Sequence, residues 1–134
     1  MTLNDTCAAW APRVLSILRI VTALVFLQHP LSKFLSFPMT MNFPATFSMY
    51  WFAGVVEIVC APLLLIGLFT RPAAFILAGE MAFAYFIVHN SRGYYPLTNN
   101  GEPAVLFCFI FLYLAFAGGG PWSIDALMGG KKKK

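Results

Sequence analysis

Charge is what this chain has least of. Only 10% of its 134 residues are charged, while 60% are hydrophobic, against about a quarter charged in ordinary soluble domains. A water-soluble protein of this size would have too little polar side chain to cover its own surface. The mean hydropathy of +0.76 points the same way. Soluble enzymes, nucleic-acid binders and disordered chains are thereby excluded, and the chain reads as an integral membrane protein. Cysteine is scarce too: Cys7, Cys60 and Cys108 stand far apart, and an odd, scattered set without C-x-x-C spacing is no disulfide framework. They read as small apolar packing residues. There is no C-x-x-C-H for haem and no GxGxxG for a nucleotide. No segment alternates with period two, which excludes a transmembrane barrel. The first apolar segment runs into Gln28-His29-Pro30 without a small-x-small pattern, so no cleaved signal peptide is expected.

The formal net charge of +4 hints at an acidic partner, but four of the nine basic residues are the terminal Lys131 to Lys134. The body then balances Arg13, Arg19, Lys33, Arg71 and Arg92 against Asp5, Glu57, Glu80, Glu102 and Asp125. The pI of 9.2 reports a tail on a neutral body, and no basic face with interleaved aromatics exists to read nucleic acid.

What is present is long apolar runs. A helix needs about 20 apolar residues to cross a bilayer, so four would occupy roughly 80. The remainder suffices only for loops and termini, so any chemistry belongs to membrane-embedded residues or to a partner protein. We expect an all-α, four-helix membrane bundle forming one transmembrane domain over 1–134. Its spans are expected near 11–35, 50–69, 73–89 and 103–117, with a basic tail over 126–134. Thr70-Arg71-Pro72 breaks the second from the third. The fourth opens at Glu102-Pro103, with proline at a first-turn position where its missing N–H costs nothing, and ends at Gly118-Gly119-Gly120-Pro121. With four spans, Arg13, Arg71 and the tail lysines share one side and Lys33 and Arg92 the other, which places both termini in the cytoplasm. The tail would then rest on the anionic inner leaflet. Asn4-Asp5-Thr6, a formal glycosylation sequon, is on that side a chance match.

Ionisable residues inside spans cost about 2.5–3.5 kcal/mol each on insertion scales, so each needs a reason. Arg19 can snorkel to the headgroups. It also shares a helix face with Lys33, about 40° away, and His29, about 80° away, if the helix continues through Pro30. Glu57 lies mid-span with Gly54 and Ala61 on the same face, where a neighbour can approach closely; Glu80 lies mid-span in the third helix. Two carboxylates and one arginine suggest a buried pair, Arg19–Glu57 or Arg19–Glu80, or a carboxyl kept as the neutral acid and serving a proton or substrate. His89 is nine residues beyond Glu80, about 180° around the helix, so the two cannot share a face unless the helix breaks. His89 is expected instead among outer-end groups: His29, Lys33, Asn100 and Glu102. Two readings of that cluster are a metal held by His29, His89 and Glu102 with help from Met39 and Met41, for which the spacing has no signature, and a quinone or small phenol between aromatic walls. Phe34, Phe37, Trp51, Phe83, Tyr85, Tyr94 and Tyr95 are available as walls, although aromatics at span ends also form the ordinary interfacial belt.

Several segments resemble the DoxX family of small four-helix bacterial membrane proteins. They are Leu18-Arg19 with His29-Pro30-Leu31-Ser32-Lys33, and Glu57 with Leu65-Ile66-Gly67-Leu68-Phe69-Thr70-Arg71. Met81-Ala82-Phe83-Ala84-Tyr85 with His89 comes after these, then Pro96-Leu97 and Asn99-Asn100-Gly101-Glu102, and last Gly119-Gly120-Pro121-Trp122-Ser123-Ile124-Asp125. The family usually has glycine after the first-span histidine. Pro30 stands there in this chain, removing a backbone donor and predicting a kink. The resemblance implies a multi-pass protein of the bacterial inner (plasma) membrane, associated with oxidoreductases, thiol stress or quinone resistance. It marks Arg19, His29, Lys33, Glu57, His89, Asn100 and Glu102. The function expected is an accessory, oxidoreductase-associated subunit that contacts a quinone-like molecule and works beside a redox partner. A small-molecule or proton-coupled carrier using Glu57 and Glu80, and a scaffold recruiting soluble redox enzymes, are the rivals. A homo-oligomer stays open, since four helices enclose little space.

Overall fold

A computed structural model describes residues 1–131; the expected basic tail lies, from Lys132 onward, outside the described residues. The described chain is all-α. Helix α1 spans Leu3–Leu35, α2 Met49–Ile66 and α3 Thr70–Ala84. A π-helical turn over Tyr85–His89 and a 3-10 turn over Asn90–Arg92 extend α3. The short α4 (Pro96–Asn99), α5 (Glu102–Ala117) and α6 (Ile124–Lys131) complete the order. Among the described residues, three stretches are long and apolar enough to cross a membrane: Leu3–Leu35, Met49–Ile66 and Thr70–Arg92. Helix α5 is apolar but shorter, 16 residues, or about 24 Å.

Local chemistry explains the ends. Thr2 and Asp5 form a reciprocal capping box at the start of α1: Thr2 N donates to Asp5 Oδ2 at 2.8 Å and Asp5 N to Thr2 Oγ1 at 3.2 Å. This sets the first helix eight residues earlier than the apolar run suggests. Ser48 Oγ accepts from Trp51 N at 3.2 Å to start α2, and Gly67 ends it in the left-handed region, φ 72°, where a Cβ is costly. Helix α1 continues through Pro30 to Leu35.

Helix α1 packs on α2 and α3 on α5, and α2 joins the two pairs through α3, whereas α1 and α5 barely touch. Small residues make the close approaches. Ala23, Ala61 and Ala74 are fully buried, and a Cβ at Gly54 would sit 2.7 Å from the Phe34 ring. Phe26 bridges the pairs, standing edge-on to Phe107 and Phe111 at 5.2 and 5.0 Å between centroids. Phe52, Val59 and Ile66 on α2, and Leu106, Phe109, Tyr113 and Phe116 on α5, are exposed. Apolar stripes pointing outward are what a lipid solvent requires.

The other end of the bundle is closed by Arg19, and not through a carboxylate. Its guanidinium, 1% exposed, donates to the carbonyls of Gly119 and, at 2.7 Å, Trp122. Neither Arg19–Glu57 nor Arg19–Glu80 forms. The reason is axial: Glu57 sits at the level of Lys33, fourteen residues along α1, which is about 21 Å of rise. Ser16 joins the clamp, its Oγ accepting from Trp122 N at 3.1 Å. Asp125 completes it by capping α3, its Oδ1 accepting from Phe69 N and its Oδ2 from Thr70 N, both at 2.9 Å, while Asp125 N donates to Gly67 O at 2.9 Å. Burial pushes the Asp125 carboxyl up, but the Thr70 and Phe69 amides and the Arg19 charge outweigh it and hold it below the usual carboxylate range. The Gly-Gly-Pro-Trp-Ser-Ile-Asp segment is thus a strap tying α1 at Ser16 and Arg19 to the α2–α3 turn.

Candidate functional site

The gap between the two helix pairs, at the end away from the strap, encloses a cavity of about 320 Å³, within the range of small-ligand sites. Helix α1 contributes Phe26, His29 and Lys33; α2 contributes Met49, Tyr50, Ala53 and Glu57; α3 contributes Glu80, Met81 and Phe83; the π turn contributes His89. Met41, Asn100, Pro103, Ala104 and Phe107 close it. The mid-span carboxylates Glu57 and Glu80 therefore line one chamber with His29, Lys33, His89 and Asn100 of the outer-end cluster.

Lys33 Nζ donates to both oxygens of Glu57, at 2.9 and 2.7 Å. The helix face predicted for Arg19 and Lys33 thus divides its work, with Arg19 serving the strap and Lys33 the cavity. The lysine side chain is 17% exposed and the glutamate 5%, a pair with one foot in the chamber. His29 packs against Phe26 and Phe107, its ring centroid 5.7 and 6.1 Å from theirs.

The regular α-helix that would set Glu80 and His89 on opposite faces ends at Ala84, so the break that lets them share a wall is present. The residues between them include the π turn Tyr85–His89, closed by Asn90 N on Tyr85 O. A π turn takes in one residue more than an α turn, so the chain beyond it is set back by about 100° and the separation falls from about 180° to about 80°. Both side chains consequently reach the cavity wall. His89 Nδ1 lies 3.1 Å from the Asn99 carbonyl. A carbonyl only accepts, so the proton is on Nδ1, leaving Nε2 for another partner.

Asn100 lines the chamber, but Glu102 does not: it is exposed at the first turn of α5. Asn99 is the residue sequence reasoning missed. It is 1% exposed; its Nδ2 donates to Gly93 O at 2.8 Å and its Oδ1 accepts from Gly101 N at 2.8 Å, so it folds the 93–101 loop over the π turn. A Cβ at Gly101 would lie 2.6 Å from Asn99 Oδ1, which is why glycine follows the Asn pair. The aromatic walls differ from those expected as well. Phe83 is in the lining, whereas Phe34, Phe37, Trp51, Tyr85, Tyr94 and Tyr95 are not; Phe26, Tyr50 and Phe107 take their place. Both carboxyl oxygens of Glu80 are buried without a hydrogen-bond partner. Among the described residues, no three His, Cys, Asp or Glu side chains gather closely enough to hold a metal ion.

Comparison with known proteins places this architecture. The chain is 45% identical over 122 residues to an uncharacterized protein of Haemophilus influenzae, covering 87% of this chain and 91% of that one. It is 29% identical over 132 residues to the uncharacterized membrane protein Rv3486 of Mycobacterium tuberculosis, covering 85% and 80%. No solved structure matches the chain. The DoxX family model matches residues 14–90, the stretch that carries Arg19, His29, Lys33, Glu57, Glu80 and His89, and the chain belongs to the DoxX family.

Proposed function

We propose that the protein is a four-span component of the bacterial inner membrane with both termini in the cytoplasm. It would serve as an accessory subunit of a membrane oxidoreductase or of a thiol or quinone stress system, and its cavity would receive a quinone-like or other small aromatic molecule. The observation that carries this reading is the chamber itself: Lys33, Glu57, Glu80, His29, His89 and Asn100 gathered within apolar and aromatic walls. That is the makeup of a ligand site, with few polar groups fixing orientation inside a mostly apolar cleft. The distribution of charge supports the orientation, since Arg13 and Arg71 belong to one end of the bundle and Lys33 and Arg92 to the other. The cavity then lies toward the outer leaflet, where a bilayer-soluble ring can enter between helices.

The test is equilibrium dialysis of a 1,4-naphthoquinone against the detergent-solubilised protein. We expect saturable binding that His29→Ala combined with His89→Ala weakens about tenfold, the loss of roughly 1.4 kcal/mol of hydrogen bonding and ring contact. Uptake no greater than that of empty micelles refutes the reading. A second reading, a proton-coupled carrier, is favoured by one observation only: a mid-helix carboxyl, Glu80, that borders the chamber and has no protein partner.

A further inference from the structure

The cavity contains an incomplete set of charges. Lys33 is its ammonium and Glu57 and Glu80 its carboxyls, so when both acids are ionised the carboxylates outnumber the ammonium. Lys33 is committed to Glu57 through both of that residue's oxygens, and Arg19 is committed to the strap. Glu80 is left with both oxygens buried and unpartnered. A buried carboxylate without a cation or donor is one of the costliest groups in a protein interior, more so with hydrocarbon around the helices. Other residues lining the cavity are apolar but not indifferent to charge. Phe26, Phe83 and Phe107 carry ring faces of the kind that attract cations, and Met49 and Met81 carry polarisable thioethers that adapt to an irregular guest.

We propose that the cavity binds a monovalent organic cation, a quaternary or protonated nitrogen carried on a small aromatic body, with Glu80 as its counter-ion and the phenylalanines as its walls. The guest's nitrogen does for Glu80 what Lys33 does for Glu57. Charge selection and shape selection thus sit on different residues, which makes them separable. This inference rests on the chamber being a ligand site, and not on that ligand's having a redox role.

The experiment uses N-methyl-4-phenylpyridinium and its uncharged counterpart of the same shape, 4-methylbiphenyl, dialysed against the full-length protein in a zwitterionic detergent. We expect the wild type to hold the cation at least tenfold more tightly than the hydrocarbon. Glu80→Gln, nearly identical in size, should lose that tenfold while keeping its affinity for 4-methylbiphenyl within about twofold. Retained hydrocarbon binding shows that the variant's cavity is intact, so a misfolded protein cannot pass for a lost counter-ion. Equal binding of the two probes by the wild type, or a cation preference that survives Glu80→Gln, overturns the cation inference and leaves the chamber a ligand site. Binding of neither probe overturns the inference. It bears on the chamber's role as a ligand site only if the naphthoquinone also fails.

Discussion

The Lys33–Glu57 pair yields the sharpest energetic expectation because its two partners are unequally wrapped. Lys33 is 17% exposed and Glu57 5%. Removing one member of a buried pair costs about 3–5 kcal/mol, because the survivor keeps an uncompensated charge, whereas replacing both with apolar residues is often close to neutral. Lys33→Met strands the better-buried Glu57 and should sit at the upper end of that range. Glu57→Met strands Lys33, whose ammonium can recover hydration along its exposed side, and should fall at or below the lower end. The double variant should then be at least about 3 kcal/mol more stable than the sum of the single losses implies, a coupling at the top of the range for contacting residues. The measurement is SDS-titrated unfolding in mixed micelles followed by far-UV circular dichroism, with all four proteins at one pH and ionic strength. Additive losses, or a Glu57→Met cost exceeding that of Lys33→Met, would refute the assigned geometry.

Two further outcomes concern the strap. The Asp125 carboxyl lies below its ordinary range in the folded protein, so its contribution is present above the unfolded-state value of about 3.9. It is lost as pH falls through the lowered native value. Asp125→Ala should therefore flatten the acid limb of the stability profile and, as a lost helix cap, cost about 1 kcal/mol at neutral pH; an unchanged acid limb counts against the assignment. At Gly120, φ is 77°, and a Cβ would collide with Ser16 Oγ and stand 2.9 Å from the Pro12 carbonyl. Gly120→Ala should cost at least about 2 kcal/mol from backbone strain and overpacking together, read as a lower thermal midpoint in the same micelles.

The helices were legible because apolar runs of bilayer length, broken by Thr70-Arg71-Pro72 and Gly118-Gly119-Gly120, admit few alternatives in hydrocarbon. The early start of α1 was not, since the capping box at Thr2 and Asp5 precedes the apolar run that marks a span. Much of the chamber was legible as well: scarce ionisable groups inside spans have to face the interior, and His29, Lys33, Glu57, Glu80, His89 and Asn100 all line it. Their pairing was not. Arg19 meets backbone carbonyls, and a carbonyl has no residue type by which a sequence could announce it; a carboxylate was the natural guess. That Glu80 and His89 line one cavity goes with a π turn within Tyr85–His89. Nothing in Tyr-Phe-Ile-Val-His distinguishes that turn from an α turn. Glu102 and Asn99 exchanged importance because a loop's path, rather than its composition, decides which of its polar side chains faces inward.

The strap also has a temporal meaning. The two carbonyls that accept from the Arg19 guanidinium lie 100 and 103 residues downstream, far along the chain. A ribosome delivering this protein to the membrane exposes the first span long before it has made the partner of that span's most expensive side chain. Until Gly119 and Trp122 emerge, Arg19 lacks the carbonyls it donates to in the finished bundle. The bundle is therefore completed by a late segment rather than its first. A chain stopped between Phe107 and Gly119 carries every residue of the chamber yet lacks the contact that closes the opposite end.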